Sequence, residues 1–171
     1  MILGMSLATF TVFHTALSLI GIVSGLVVVY GMLIGKAIEK WTNLFLLTTV
    51  LTSATGFLFP VEHLLPSHII GTISLVVLAG TLLARYAFHL AGGWRKTYVF
   101  TAMIALYLNC FVLVVQLFLK VPSLHAMAPK GQEPPFLISQ LVLLALFIGL
   151  TIKASKGFRD AETAPAMRRA A

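Results

Sequence analysis

The sequence predicts an all-α integral membrane protein: a bundle of about five transmembrane helices, with the N-terminus outside and the C-terminus cytoplasmic. Three observations carry this. Of the 171 residues, 59% are hydrophobic and only 10% charged, and the mean hydropathy is +1.00, a composition far from that of soluble domains. The apolar residues fall into five runs, each near the ~20 residues a helix needs to cross a ~30 Å hydrocarbon core. The basic residues gather between those runs, mostly on one side.

The first run, 9–35, precedes the first charged residue, Lys36, and has no basic leader, so it reads as a retained helix and not a cleaved signal. Small and polar residues mark the faces of membrane helices that pack inward. His14, Ser18, Gly21 and Gly25 share such a face, the last two as a GxxxG pair, and His14 is expected to point into the bundle. The second run, 42–61, has Thr48, Thr52 and Thr55 on one face with Thr49, Ser53 and Gly56 beside them. These are read first as close-packing residues, since hydroxyls bond to their own helix backbone at low cost.

The third run, 68–91, opens on His68, with Ser67 as its expected cap after Pro66. Toward its other end Arg85 is expected to snorkel to the interface beside His89. The fourth, 97–119, carries Asn109, Gln116 and Lys120 on one face. An amide in hydrocarbon needs a partner, so both amides are expected to face other helices or a hydrated space. The connection from Lys120 to Pro135 is stiffened by Pro122, Pro129, Pro134 and Pro135. Within it, Ser123 to Met127 is expected to form a short interfacial helix that lowers His125 and Met127 onto the bundle. Pro135 suits the first turn of the last run, 136–153. Residues 1–153 thus form one transmembrane domain and 154–171 a basic cytoplasmic tail, with no internal repeat.

With the N-terminus outside, the cytoplasmic segments hold Lys36, Lys40, Arg95, Lys96, Lys153, Lys156, Arg159, Arg168 and Arg169, and the outer loops hold only Lys120 and Lys130. Nine against two is a positive-inside bias. Trp41 and Trp94 then both begin helices at the cytoplasmic interface. The net charge of +7 is therefore a topology signal and not a nucleic-acid footprint. The partner implied is the lipid bilayer.

On the same topology His14, His63, His68 and His125 all lie toward the outer side, with Glu62, Gln116, Glu133 and Gln140 at similar depth. Neutral imidazole is the usual ligand for haem iron, copper or zinc, and it titrates near physiological pH. One site is expected in that cluster, with two alternative occupants. One is a b-type haem held by His14 and His68 with Gln116 beside it; the other is a transition metal held by His14, His63, His68, His125 and Glu62. A quinone suits the role of lipid-soluble partner. Against these stands the bland alternative that the histidines are ordinary interfacial residues, for no HxxxH or HExxH pair is present.

The functional reading is a membrane redox or metal-binding protein with a histidine site at the outer face. The alternatives are an accessory or assembly subunit of a larger membrane complex or homo-oligomer, and, behind it, a small transporter, disfavoured because no acidic residue lies within the apolar runs. Soluble-enzyme chemistry lacks material: there is no carboxylate pair, Gly-rich nucleotide loop or Ser-His-Asp set. Cys110, the single cysteine, permits no internal disulfide.

The stretches TSATGFLFP, LLPSHIIG, ARYAFHLAGGWR, ALYLNCFVLVVQLFLKVPSLHAMAP and EPPFLISQ resemble those of a family of small bacterial polytopic inner-membrane proteins. The resemblance covers most of the chain and implies a multi-pass location in that membrane; the family carries no established activity. The layout is also similar to that of small membrane cytochromes of the b type, which implies a histidine-held haem. Fold analogy of this kind is a prior for function and not evidence of it.

Overall fold

Among the described residues six α-helices follow one another: α1 (Leu7–Leu33), α2 (Glu39–Gly56), α3 (Pro66–Leu82), α4 (Trp94–Lys120), α5 (Pro122–Met127) and α6 (Pro134–Arg169). The structure is a computed structural model that describes residues 2–60 and 66–169, with side chains resuming at His68 and continuing to Phe158. Among the described residues four segments are long and apolar enough to cross a membrane: Leu7–Leu33, His68–Ala87, Trp94–Lys120 and Pro134–Phe158. The second run is the exception. Its helix has 18 residues and opens on Glu39, Lys40 and Asn43, which dilute its apolar character.

The helix ends have local causes. Ser6 caps α1 by accepting a 3.1 Å hydrogen bond from the Thr9 N–H, which starts the helix slightly before the apolar pattern does. α2 stops at Gly56, short of the expected 61. There the N–H groups of Phe57 and Leu58 turn back to the carbonyls of Ala54 and Thr55, tightening the last turn, and Pro60 disfavours helical geometry at Phe59. α3 runs into a single π-helical turn, Leu83–Ala87, closed by the Phe88 N–H on the Leu83 carbonyl at 3.0 Å. His89 and Leu90 then adopt left-handed backbone angles, so the helix expected to reach 91 ends at the π-turn. The short α5 forms where the prolines and spacing placed it, with Pro122 in its first turn. α6 begins at Pro134 and stays helical through Arg169, so residues beyond 153 continue that helix.

α4 is the central element, touching α1, α2, α3, α5 and α6, while α2 lies along α1 and α3. Phe45, Leu78, Tyr98, Met103 and Leu106 form the buried centre. The GxxxG face does what its small residues allow. A Cβ at Gly25 would stand 2.6 Å from the Leu106 side chain and 2.9 Å from the Phe45 ring, so close approach of α1 to its neighbours depends on a bare backbone there. Across α2 and α3 the hydroxyls of Ser53 and Ser74 meet at 2.9 Å, a buried bond of the kind worth about 0.6 kcal/mol between membrane helices.

Contacts near the helix termini define two ends of the bundle. At one, His14 on α1 bonds to Thr55 on α2, Phe57 packs on His68, and Phe118 on α4 meets Phe136 on α6. At the other, the Tyr86 hydroxyl donates to Asn43, Arg85 lies over the Tyr98 ring, and Gly157 of α6 presses on the last turn of α1. The first is the histidine end and the second the basic end.

Candidate functional site

At the histidine end a cavity of about 100 Å³ opens between α1, α2, α3 and α4. His14, Ser18, Thr52, Ser53, His68 and Asn109 supply its polar wall, and Phe57, Ile70, Leu108 and Val112 its apolar one. All of these positions follow from helical spacing. His14 and Ser18 are one turn apart on the inward face of α1, and His68, Gly71 and Ser74 recur every third residue on α3.

His14 is half-buried, with its ring edge against Phe59 at 5.2 Å between centroids. Its Nδ1 lies 2.9 Å from Thr55 Oγ1. The single hydroxyl hydrogen of Thr55 is directed at the Leu51 carbonyl, 2.6 Å away, so Thr55 accepts and His14 Nδ1–H donates. In that arrangement Nε2 carries the lone pair, and a neutral His14 offers its second nitrogen as an acceptor. His68 is half-buried in the first turn of α3, edge-on to Phe57 with 5.5 Å between centroids.

Deeper in, Asn109 Nδ2 donates to Thr49 Oγ1 at 3.4 Å. Gly21 makes room for this pair; a Cβ on it would stand 3.2 Å from the Thr49 hydroxyl. The Thr52 hydroxyl oxygen is buried on the cavity wall and finds no hydrogen-bond partner among the described residues. An unsatisfied hydroxyl in a dry interior costs about 1 to 3 kcal/mol.

Of the expected site residues, His14 and His68 come together on the cavity, and Gln116 and His125 do not join them. Gln116 is exposed on α4 and absent from the cavity wall. Besides Asn109, the buried amide of this half of the bundle is Gln140 on α6, whose Nε2 donates to the Phe111 carbonyl at 3.2 Å. His125 and Met127 are exposed on α5, where Ala128 is the residue turned inward. Glu62 and His63 lie outside the described residues. Among the described residues no group of three or more His, Cys, Asp or Glu converges, so the multi-ligand metal set is not assembled by them.

The cavity also bears on the haem expectation. Pockets for ordinary organic ligands measure ~300–1,000 Å³, and about 100 Å³ holds roughly three waters. A porphyrin does not fit between His14 and His68 as the helices are packed, whereas a single hydroxylated ring is of the right order. Thr52 and Ser74 are the site residues that sequence reasoning underrated. The three-residue recurrence of His68, Gly71 and Ser74 was the available signal for the second. No family model, curated protein or solved structure matches this chain.

Proposed function

We propose that the chain is a multi-pass protein of the bacterial inner membrane that binds the hydroxylated head of a lipid-soluble molecule, of the quinol class, between His14 and His68. The observation that carries this reading is the polar, two-histidine cavity, whose wall includes a buried Thr52 hydroxyl with no partner among the described residues, set in an otherwise apolar bundle. A lone pair on His14 Nε2 accepts from a phenolic O–H, and a quinol supplies such hydrogens where a quinone has only carbonyl oxygens. The apolar wall formed by Phe57, Ile70, Leu108 and Val112 suits the ring and the start of an isoprenoid tail. Oxidation of the bound quinol would require an electron acceptor of another origin, so the reading is confined to binding.

In this proposal α2 is the fifth span. Its hydroxyls make it compatible with lipid because Thr42, Thr48 and Thr55 donate to the carbonyls of Ile38, Leu44 and Leu51 of the same chain. The N-terminus is outside. Seven described cations, Lys36, Lys40, Arg85, Arg95, Lys96, Lys153 and Lys156, belong to the basic end and two, Lys120 and Lys130, to the histidine end, which the positive-inside rule assigns to cytoplasm and exterior.

Titration of the detergent-purified protein with a short-chain quinol and with the matching quinone tests the reading. Saturable binding that favours the quinol and weakens about tenfold in His14→Ala and Thr55→Val, the latter removing the acceptor for Nδ1–H, is the expected result. Absence of binding to either form, or binding indifferent to both substitutions, overturns it.

A further inference from the structure

A second, smaller cleft lies at the basic end. It has a volume of about 40 Å³ and is lined by Gly92, Arg95, Lys96, Val99 and Ser155. We infer that this cleft is a binding site for the phosphodiester of an anionic phospholipid, independent of the quinol reading.

Its parts suit that group. Arg95 and Lys96 bring two fixed cations from the first turn of α4, and Ser155 brings a hydroxyl from α6 across the cleft. The Ser155 hydroxyl donates to the Ile152 carbonyl at 2.9 Å and can swing to an incoming oxygen. Gly92 takes a left-handed backbone angle, φ +52°, and a Cβ there or at Gly93 would meet nothing within 4 Å, so the floor is open to approach. The start of a 27-residue helix adds the positive end of its dipole to the two side-chain charges. Lys153 and Lys156, both exposed on the neighbouring stretch of α6, extend the positive field beyond the cleft.

The volume and setting narrow the ligand. At little more than the ~30 Å³ share of one water, the cleft seats phosphate oxygens and no ring or sugar. Its position is interfacial: Trp94, exposed, stacks on Phe88 with 3.8 Å between ring centroids and 2° between planes, next to the cleft in sequence. Paired aromatic rings of this sort belong at the depth of lipid head groups. Basic clefts between membrane helices at that depth are where acidic head groups are held. A free phosphate ion shares the chemistry but not the reason for an interfacial location, and the choice between the two sources can be tested.

The experiment uses the full-length protein in mixed nanodiscs or detergent micelles, with native mass spectrometry to count retained lipids. Phosphatidylglycerol retained in preference to phosphatidylcholine, with the preference falling about tenfold in Arg95→Gln/Lys96→Gln and several-fold in Lys96→Gln alone, is the expected result. Lys96 is exposed, so its single variant keeps the test meaningful if the double variant folds poorly. Lys36→Gln/Lys40→Gln, which removes the same charge from the same end, is expected to leave the preference intact. An equal loss in that control would show diffuse attraction in place of a site and overturn the inference. Full displacement of the lipid by millimolar inorganic phosphate would overturn the lipid assignment in favour of a free-anion site.

Discussion

The two ends of the bundle handle polar groups in opposite ways. At the histidine end they turn inward: His14, Thr52, Ser53, Ser74 and Asn109 face one another or a shared cavity. At the basic end they turn outward or onto aromatic rings. Arg85 is held between Tyr86 and Tyr98, 5.6 and 5.8 Å from the two ring centroids, and Arg95, Lys96, Lys153 and Lys156 surround the helix termini. The contrast teaches that charge and hydrogen-bonding capacity are separated along this molecule. Among the described residues, neutral donors and acceptors gather around the cavity at one end, and most fixed charges surround the helix termini at the other.

Two glycines, one at each end, differ in how tightly they are packed, and this gives the largest expected effect. A Cβ on Gly157 at the basic end would stand 2.7 Å from the Leu33 carbonyl oxygen, a backbone atom with little freedom to move. At Gly56, at the histidine end, the nearest atom is His14 Cε1 at an ordinary 3.7 Å. Gly157→Ala is expected to destabilise the protein by about 2 kcal/mol, while Gly56→Ala is expected to be neutral or slightly stabilising through helix propensity. Thermal unfolding midpoints in detergent measure both; similar shifts at the two sites would erase the distinction.

Removing the orphaned hydroxyl sharpens the comparison in the other direction. Thr52→Val keeps the side-chain shape and deletes an oxygen without a described partner, so it is expected to raise stability by about 1 kcal/mol and at the same time weaken quinol binding. A variant that is less stable and still binds would show the oxygen to be structurally satisfied. At the basic end the counterpart is Arg85→Gln, which gives up the contact of the guanidinium with two tyrosine rings and is expected to cost about 1 kcal/mol. Arg85→Lys should recover part of that loss, since a cation over a ring remains.

The smallest expected effect concerns Glu133, just ahead of α6. Partial desolvation works against it, yet the backbone N–H groups of Gln132 and Lys130, at 3.0 and 3.1 Å, hold its carboxyl below the usual carboxylate range. Because the folded value is the lower one, the stabilisation is present above the ordinary range and disappears as pH falls through the folded value. The protection factors of the Lys130 and Gln132 amides should therefore fall as pH drops through the folded value, and Glu133→Gln should show little protection at every pH.

Much of this arrangement was legible in the sequence where periodicity and local chemistry agreed. The inward face of His14, Gly21 and Gly25, the burial of Asn109, the short helix after Pro122 and the proline start of α6 all follow from residue type and spacing. Gln116 was not legible. Spacing of seven residues puts it on the same face as Asn109, but a face is inward only as far along the helix as its neighbours reach, and that is a property of other segments. The π-turn at Leu83–Ala87 also had no sequence signal, since it holds neither proline nor glycine. The size of the cavity depends on how four helices meet and is written in no single one of them.

The polar opening of α2 has a consequence for biogenesis. A helix that begins Glu39, Lys40 and Asn43 and carries Thr or Ser at much of its inward face partitions poorly into lipid by itself. On the five-span reading it enters the bilayer together with α1, against which it packs, as a preformed hairpin. The glycine face of α1 would then serve first as an insertion chaperone within the chain and only afterwards as part of the finished core.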